Sequence, residues 1–390
     1  MVATTISPPV APTLYSLEIA GSACSDLPYD VELRESWGAH DLVFLRIPVA
    51  PGTPYKHLLT AWADNAPVKM VWGRGSVNMS TWYGYVNHHE VASNDDAGMG
   101  TIQITYVCIG TSKPMNTEVS KAWPITTPTA IAQTIARKYS LRCVVTSTNF
   151  NLPFEMQVES DFSFLNRIAA KVGYRFWVSG GTLYMIDPLV LLSGISMYYI
   201  PHYTIDNIAG QVDCAQKFKV LQGVGIPGSL QMNRKVYGVD ARGVYSATAD
   251  GDTYQDDDVE IYRHVASRGE AKNIMNAKKS LAQFWLQATV EVMGYSVLYP
   301  GKVIKLLGQA LTNGTAGDWI VTDADHILKP TGLIPSDDKY VTRLSVIRNA
   351  QNSTLSVKSV QKVVPEFVTC RLQANQWVAM NMATITEGIV

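Results

Sequence analysis

The stretch VESDFSFLNRIAAKVGYRFWVSGGTLYMIDP, residues 158 to 188, carries the most complete set of local structure signals in the chain. Ser160 or Asp161 can cap a helix, and an Asp is also favourable at the positive end of the helix dipole. The apolar residues that follow share one helical face: Phe162, Leu165, Ile168, Ala169 and Val172. Gly173 takes the place of a left-handed cap, and Ser179-Gly180-Gly181 is a hairpin turn between YRFWV and TLYMI. The stretch predicts a helix and a hairpin whose apolar residues form a core, and it contains no catalytic group.

A second helix start lies upstream, in TPTAIAQTIARKY. Thr127 is its cap and Pro128 its first residue, where a missing N–H has no cost. Ile131, Ile135 and Tyr139 form an apolar stripe at helical spacing. With the strand LRCVV between the two helices, residues 116–187 are predicted to form a small α/β domain.

Residues 1–115 are predicted to form a β-barrel-like domain with one helix, TPYKHLLTAWADN, capped at Thr53 and Pro54. TIQITYVCIG and STWYGYVNHHEV alternate as strands do, and DLVFLRIPV and PVKMVWG are shorter strands. The residues predicted to share faces are Ile102, Ile104, Tyr106 and Cys108 in the first, and Trp82, Gly84 and Val86 opposite Tyr83 and Tyr85 in the second.

Residues 188–360 are predicted to form a second β-barrel domain, with an insertion around 230–282 and a helix from about 267 to 281. In LQATVEVMG one face carries Leu286, Ala288, Val290 and Val292. PGKVIKLLG, GDWIVTDADHIL and YVTRLSVIR are further strands. The predicted fold class is therefore mainly β with α+β parts, and two β-domains around an α/β domain suggest internal duplication. Residues 361–390 form a C-terminal extension.

Composition narrows the class of protein. Of the 390 residues, 47% are hydrophobic and 17% charged, and the formal net charge is -1. These values indicate a globular chain without the basic excess typical of nucleic-acid binders. The five cysteines are scattered without a CxxC pair, which favours buried free thiols in a reducing compartment: Cys24, Cys108, Cys143, Cys214 and Cys370. We expect neither a secretory signal nor a membrane span, because no stretch is long and apolar enough.

No stretch has the spacing of a catalytic, cofactor or metal site. Residues 250–260 are acidic, but their glycine stands at the wrong position for a calcium loop, so a solvated loop is expected. His88 and His89 would point to opposite faces of a strand and are predicted, with Glu90, at an exposed strand end. His326 has no ligand-spaced neighbour and is predicted to be exposed in the same way. WGRGS, residues 72–76, is predicted to be a turn between strands. A carboxylate pair assembled from distant positions stays open.

The opening stretch, extended back to Gln157, resembles the Q-x-x-E-S-D-x-x-F-L-x-R segment of phage baseplate hub proteins, the late control protein D family, and the hub part of type VI secretion spike proteins. The matching residues are Gln157, Glu159, Ser160, Asp161, Phe164, Leu165, Arg167, Ala169 and Gly173. WYGYVNHHEV, RGEAKNIMNAKKS with the strands after it, and GDWIVTDADHIL with YVTRLSVIRN are similar to later parts of the family, in the same order. The resemblance covers roughly residues 13–350.

The resemblance implies a structural hub without enzymatic chemistry or cofactors. Two tube-type β-barrel domains per chain would give a homotrimer a ring of six, which adapts a sixfold tail tube to a threefold spike and leaves a channel for DNA. Its partners would be tail tube or distal tail proteins and a separate spike protein, with tape measure and baseplate wedge proteins as further candidates. The location would be the tail tip or baseplate of a virion assembled in the host cytoplasm, a contractile injection system for genome ejection.

The chain ends without the further domains of type VI spikes, so we expect the spike to be a separate protein. The extension 361–390 is apolar and resembles nothing familiar; we expect it to dock the spike or a neighbouring tail protein. Two other functions stay open: a tail-associated enzyme that degrades glycans, and a receptor-binding tail protein. The enzyme would need an accessible carboxyl pair, and the receptor binder an exposed aromatic platform.

Overall fold

The fold is mainly β with α+β parts, as predicted. The computed structural model describes residues 4–5, 16–24, 30–49, 62–74, 78–94, 101–148, 150–152, 154–192, 198–201, 217–221, 235–240, 243–248, 259–262, 273–274, 276–277, 281, 284, 286–307, 317–329, 339–348, 369–380 and 385–387.

The strands of the amino-terminal part are β1 (Thr4–Thr5), β2 (Ser16–Ile19), β3 (Ser22–Ala23), β4 (Asp30–Ser36), β5 (Leu42–Val49), β6 (Pro67–Arg74), β7 (Asn78–Asn94) and β8 (Thr101–Gly110). A short 3-10 helix, Lys113–Asn116, follows. The central part contains β9 (Glu118–Trp123), α1 (Pro128–Lys138), β10 (Arg142–Thr146), β11 (Glu155–Ser160), α2 (Asp161–Val172), β12 (Arg175–Ser179), β13 (Thr182–Ile186) and α3 (Pro188–Leu192).

The carboxyl-terminal part contains β14 (Tyr198–Pro201), β15 (Lys217–Leu221), β16 (Lys235–Asp240), β17 (Gly243–Thr248), β18 (Val259–Tyr262), β19 (Leu286–Met293), β20 (Val303–Leu307), β21 (Gly317–Lys329), β22 (Lys339–Arg348), β23 (Cys370–Gln373), β24 (Gln376–Ala379) and β25 (Ile385–Glu387).

Two strand arrays with the same order make up the large sheet. The first array runs β4-β5-β8-β7-β6-β2, and the second runs β15-β19-β22-β21-β20-β14. The second half of β21 pairs with β4, so the two arrays join into one sheet. The repeated order agrees with the internal duplication that the sequence suggested; the domain boundaries themselves stay a prediction.

The first array encloses a core of aliphatic and aromatic side chains. Ile104, Tyr106 and Cys108 of β8 are fully buried, which confirms their predicted shared face. Leu328 and Tyr340 of the second array reach into this core from the far end of the β21–β22 hairpin. The arrays therefore share buried apolar surface as well as backbone pairing.

The second array has its own core, in which Trp319 and Leu298 are completely buried. In β19, Ala288, Val290 and Val292 face this core as predicted, while the side chain of Leu286 lies outside the described residues. Of the helix predicted from 267 to 281, the described residues at Asn273, Ile274, Asn276, Ala277 and Leu281 are helical.

The α/β part confirms the signals of the opening stretch. Ser160 caps α2, Gly173 ends it with a φ of 80°, and Gly180 and Gly181 turn β12 into β13. Thr127 caps α1, with its Oγ1 accepting from the Ala130 N–H at 3.1 Å. The two helices pack on the sheet β12-β13-β10-β25, and their predicted apolar faces are buried.

Two parts of this region were not predicted. β9 and β11 form a two-stranded ribbon that carries α2 on one side. β25, from the far end of the chain, pairs in parallel with β10. Of the helix predicted over residues 53–65, residues 53–61 lie outside the described residues, and residues 62–65 form a turn and no helix.

Candidate functional site: the joint between the strand arrays

The joint is built where β21 leaves its own array and crosses to the first. Its register shifts between Val321 and Asp323, after which Asp323 lies opposite Ser36 of β4 and Leu328 lies opposite Val31. The Ser36 hydroxyl donates to the Asp323 carboxylate, and the Trp37 N–H donates to the Thr322 carbonyl at 3.1 Å. A bulge of this kind bends a strand, which explains how one strand serves two arrays.

His326 lies at the centre of this joint and is completely buried. The prediction that it is exposed at a strand end was wrong, because β21 continues past it and is covered by β4 on one edge and β22 on the other. Its Nδ1 lies 2.9 Å from the Tyr340 hydroxyl and 3.1 Å from that of Thr342. Trp72 Nε1 donates to the same Tyr340 oxygen at 3.1 Å. A buried imidazole is thereby held by both arrays.

The other ring nitrogen of His326 faces a carboxylate. Nε2 lies 3.6 Å from Oε2 of Glu35, and both residues are 0% exposed. Within the described part of the chain, neither of these two atoms has a hydrogen-bond partner. A buried carboxyl is costly without a partner, so replacement of either residue would leave the other uncompensated at the joint.

Asp41 adds a second buried carboxyl beside Glu35. Burial raises the pKa of Asp41 well above its usual value, and the negative Glu35 raises this pKa further. The Ser179 hydroxyl donates to Glu35 Oε1 at 2.8 Å, which ties the α/β part to the same cluster. Both carboxyls are buried, Glu35 at 0% and Asp41 at 1% exposure, so a glycan could not reach them. Chemically, the cluster can hold a proton and join three parts of the chain.

The turn between β4 and β5 makes further contacts to the α/β part. The Gly38 N–H donates to the Phe176 carbonyl at 2.7 Å, and Asn166 Nδ2 donates to the Gly38 carbonyl at 3.1 Å. The His40 ring lies 3.8 Å from the Phe162 ring, centroid to centroid. The helix of the opening stretch is therefore fixed against the joint.

The motif residues of the opening stretch form a structural network. The Asp161 carboxylate accepts from Lys138 Nζ at 2.6 Å, Tyr139 Oη at 2.6 Å and Gln157 Nε2 at 2.7 Å. Gln157 in turn accepts from Trp123 Nε1 at 2.9 Å. Burial opposes ionisation of Asp161, but these hydrogen bonds outweigh it and hold its pKa below the usual value. The network clamps α1, α2 and the β9–β11 ribbon together.

Arg167 completes the clamp from α2. Its Nε donates to Glu159 at 2.8 Å, its Nη1 to Glu155 at 3.0 Å and its Nη2 to the Met156 carbonyl at 2.9 Å. A guanidinium that donates in three directions fixes the ribbon on the helix. These bonds hold the α/β part together, and they occupy the side chains of Gln157, Glu159, Asp161 and Arg167.

The other sequence candidates lie apart from the joint. His88, His89 and Glu90 are exposed on β7, as predicted. β6 and β7 pair as a hairpin from Arg74 and Asn78 onward, so the first three residues of the turn predicted at WGRGS belong to strand β6 instead. Residues 250–258 of the acidic loop lie outside the described residues.

Four of the five cysteines are free and buried as predicted, and Cys214 is not described. Burial raises the pKa of Cys108, Cys143 and Cys370 to about 12, which makes these thiols poor nucleophiles. In the described part, His, Cys, Asp and Glu side chains nowhere come together in a group of three that could hold a metal ion. The described helices include none that is long and apolar enough to cross a membrane.

A hairpin from the carboxyl-terminal extension covers the first array. Trp377 donates from Nε1 to the Gly84 carbonyl at 2.8 Å and from its backbone N–H to the Tyr85 hydroxyl at 2.7 Å. Its ring packs on Tyr83 at 4.7 Å between centroids. Both faces of β7 are therefore buried at this point, one by the core and the other by the hairpin.

Comparison with solved structures identifies the architecture. The 43 kDa tail protein of prophage MuSo2 from Shewanella oneidensis superposes with a TM-score of 0.59 at 12% identity, over 87% of this chain and 99% of that one. A tail protein from Neisseria meningitidis MC58 gives a TM-score of 0.59 at 11% identity, over 86% and 97%. The chain has the fold of phage tail proteins. The resemblance found in the sequence is thereby confirmed at the level of the fold.

A type VI secretion component shares the fold as well. The E. coli c3393 protein, described as structurally similar to the T4 tail proteins gp27 and gp5, gives a TM-score of 0.51 at 13% identity, over 85% of this chain and 76% of that one. No family of known sequences matches the chain, and no curated protein does. The tail-protein fold is therefore recognised through its structure and a few motif residues.

The residues of the joint escaped the sequence analysis. Glu35, Asp41, Ser179 and His326 are separated by up to 291 positions and share no motif. One signal was present: Asp323, Asp325 and His326 are three titratable residues in a strand that also carries the apolar run from Trp319 to Val321. A polar run within a predicted core strand indicates a buried polar contact.

Proposed function

We propose that the chain is a structural hub of a phage tail baseplate. Three copies form a closed ring that adapts a sixfold tail tube to a threefold spike and leaves a central channel for DNA. The observation that carries the proposal is the repeated strand order, β4-β5-β8-β7-β6-β2 and β15-β19-β22-β21-β20-β14, within one chain. The two arrays differ in the direction of the last strand, which is antiparallel for β2 and parallel for β14. Three copies of a chain with two arrays of the same strand order present six similar units to a tube.

The way in which the arrays are joined supports a ring. β21, an inner strand of the second array, pairs antiparallel with β4, the edge strand of the first, so the two arrays contribute different surfaces and the same kind of contact can be repeated around an axis. Contacts of this type give rings when the rotation closes and filaments when it does not. Buried groups at the joint, His326 and Glu35 among them, fix the angle between the two arrays.

A structural role agrees with the positions of the polar residues. The motif side chains Gln157, Asp161 and Arg167 are engaged in hydrogen bonds between helices and strands. Glu35 and Asp41, a close pair of buried carboxyls, lie where no substrate could enter. These observations favour an assembly protein over a glycan-degrading enzyme.

The partners follow from the hub role. A tail tube or distal tail protein would contact one face of the ring, a separate spike protein the other, and tape measure and baseplate wedge proteins could contact its surroundings. DNA would pass through without specific binding, in agreement with a net charge of -1. The assembled location would be the virion tail tip or baseplate.

The test is negative-stain electron microscopy of the purified full chain, with the mass in solution measured on the same sample. We expect a trimer with threefold symmetry and an open centre. A compact monomer at every concentration, with cleavage of or binding to cell-surface glycans, would contradict the hub and support the enzyme or the receptor-binding protein.

A further inference from the structure

The internal joint has an unfilled counterpart on the same chain. In the joint, Ile320 of β21 is opposite Val303 of β20, the register shifts between Val321 and Asp323, and the strand then pairs with β4. β21 thus changes its neighbour at the bulge. The first array contains a matching strand with a matching bulge.

β7 repeats the path of β21 up to the bulge. Tyr85 is the last residue of β7 opposite β6, where it faces Pro67, and the register shifts between Val86 and His88. From His88 to Asn94 the strand continues along β8 on one edge. Within the described residues no strand lies along its other edge. β7 therefore reaches beyond its array as β21 does, but without a neighbour.

The exposed side chains of β7 agree with an uncovered edge. His326 of β21 is 0% exposed, whereas Val91, six residues beyond Tyr85 as His326 is beyond Ile320, is 47% exposed. An extended strand edge with an exposed apolar side chain favours pairing with another strand.

β15 is the counterpart of β4. A row of paired residues can be followed across four strands in each array. In the first array it is Arg34–Leu42–Ile109–Tyr85, and in the second it is Leu221–Gln287–Ile347–Ile320. Arg34 therefore corresponds to Leu221, and Tyr85 corresponds to Ile320. β4 has β5 on one edge and β21 on the other. β15 has β19 on one edge, and among the described strands none lies on the other.

We propose that the second half of β7 pairs antiparallel with β15 of another copy of this chain, so that one sheet continues around the ring. The occupant is a second copy because the same edge, in the equivalent array, is already filled within the chain. The two edges are different surfaces, so the contact is head to tail and can close into a ring. This inference rests on the proposed hub and specifies how its copies join.

The internal joint also sets the register. Asp325 lies opposite Arg34 and His326 opposite Leu33. By the equivalence above, Glu90 would lie opposite Leu221 of the neighbouring copy and Val91 opposite Val220. A slip of one residue would turn every side chain of the strand to the wrong face, so the register is a strict test.

Disulfide cross-linking of the full chain tests this register. The first variant combines Glu90→Cys with Leu221→Cys, and the second combines Val91→Cys with Val220→Cys. Adjacent antiparallel pairs alternate between two geometries, and both bring Cα atoms within disulfide reach. We expect at least one variant to give covalent multimers on mild oxidation. The matched control, Val91→Cys with Lys219→Cys, is out of register by one residue and should give few.

Amide hydrogen exchange is a second measurement, and it uses the unmodified chain, so the result does not depend on whether a variant folds. On assembly, alternate amides of residues 88–94, those that point away from β8, should exchange more slowly than in the diluted chain. The amides that already pair with β8 should change little.

The outcomes separate this inference from the hub itself. A ring that assembles without either in-register cross-link and without slowed exchange in β7 would overturn the strand pairing and leave the hub intact. Cross-linked copies that form no ring would support the pairing and contradict the hub. A chain that is monomeric and forms no cross-link would overturn both.

Discussion

At the scale of single residues, Asp161 shows how a motif residue can serve structure alone. Its carboxylate accepts three hydrogen bonds, from Lys138 and Tyr139 at the end of α1 and from Gln157 of β11, and its side chain is almost completely buried. Of the two residues that could cap α2, Ser160 takes that role, and Asp161 is free for the network. The fold needs the motif residue Asp161 for these hydrogen bonds, and this role does not require any catalytic activity of the chain.

We predict that Asp161→Asn lowers the free energy of unfolding by about 2 kcal/mol at neutral pH, because an amide nitrogen would face donors and leave them unpaired. Because the pKa of Asp161 is lowered in the folded chain, its contribution is present above the unfolded pKa of about 3.9 and is lost as the pH falls through the folded value. Urea unfolding at several pH values measures both effects.

The variant should therefore lose less stability on acidification than the unmodified chain does. Glu118→Gln, at an exposed position in the neighbouring ribbon, is the control and should change neither the midpoint nor its pH dependence. Equal acid sensitivity of the Asp161→Asn variant and the unmodified chain would contradict the assigned role.

At the scale of elements, the β23–β24 hairpin is a cover that joins distant parts of the chain. Trp377 binds β7, Ala379 donates to the Ser140 carbonyl at 3.2 Å, and Cys370 lies so close to the β12–β13 turn that a Cβ added at Gly181 would come within 2.3 Å of its sulfur. Gly181 is required twice, since its φ of 78° is also left-handed.

We predict that Trp377→Ala destabilises the chain by about 3 kcal/mol, as large-to-small changes of buried aromatic residues do. The change also removes the hydrogen bond from Nε1 to the Gly84 carbonyl and uncovers Tyr83 and Tyr85. Circular dichroism during urea unfolding measures the loss. Leu372→Ala, at a 44% exposed position of the same hairpin, should have little effect; a similar loss in both variants would argue against a specific cover.

At the scale of the whole molecule, the carboxyl-terminal extension belongs to the folded body. Residues 370–379 cover the first array and Ile385–Glu387 pairs with β10, so the described part of the extension is held by its own chain. Removal of the segment would disturb the fold itself, so the proposed docking of the spike is better tested with substitutions of exposed residues.

We predict that deletion of residues 361–390 reduces the melting temperature by about 10 °C or more, since several kcal/mol of buried contacts disappear. Differential scanning calorimetry measures this. Leu372→Asp with Met380→Asp changes two exposed apolar side chains of the extension and should leave the melting temperature almost unchanged. Loss of spike binding in that double variant would support docking, and a deletion that melts normally would contradict the structural role of the extension.

Much of the fold could be predicted because its signals are local. Thr127, Ser160, Gly173 and the Gly180-Gly181 turn act within a few residues of themselves, and the alternation in β8 and β19 reports one buried face. The β9–β11 ribbon was missed because the burial of β11 is inverted: its polar residues Glu155 and Gln157 are buried, and its apolar residues Met156 and Val158 are exposed.

The sequence by itself determined the helix caps, the hairpin turns, the core faces of the strands and a resemblance to tail hubs. Only the tertiary structure decided that His326 meets Glu35 in a buried joint, that the end of the chain covers its beginning, and that one edge in each array lacks a described neighbour. Caps and faces depend on residues a few positions apart. The joint depends on strands almost 300 positions apart, whose pairing is set by the whole sheet and leaves no spacing to be read along the chain.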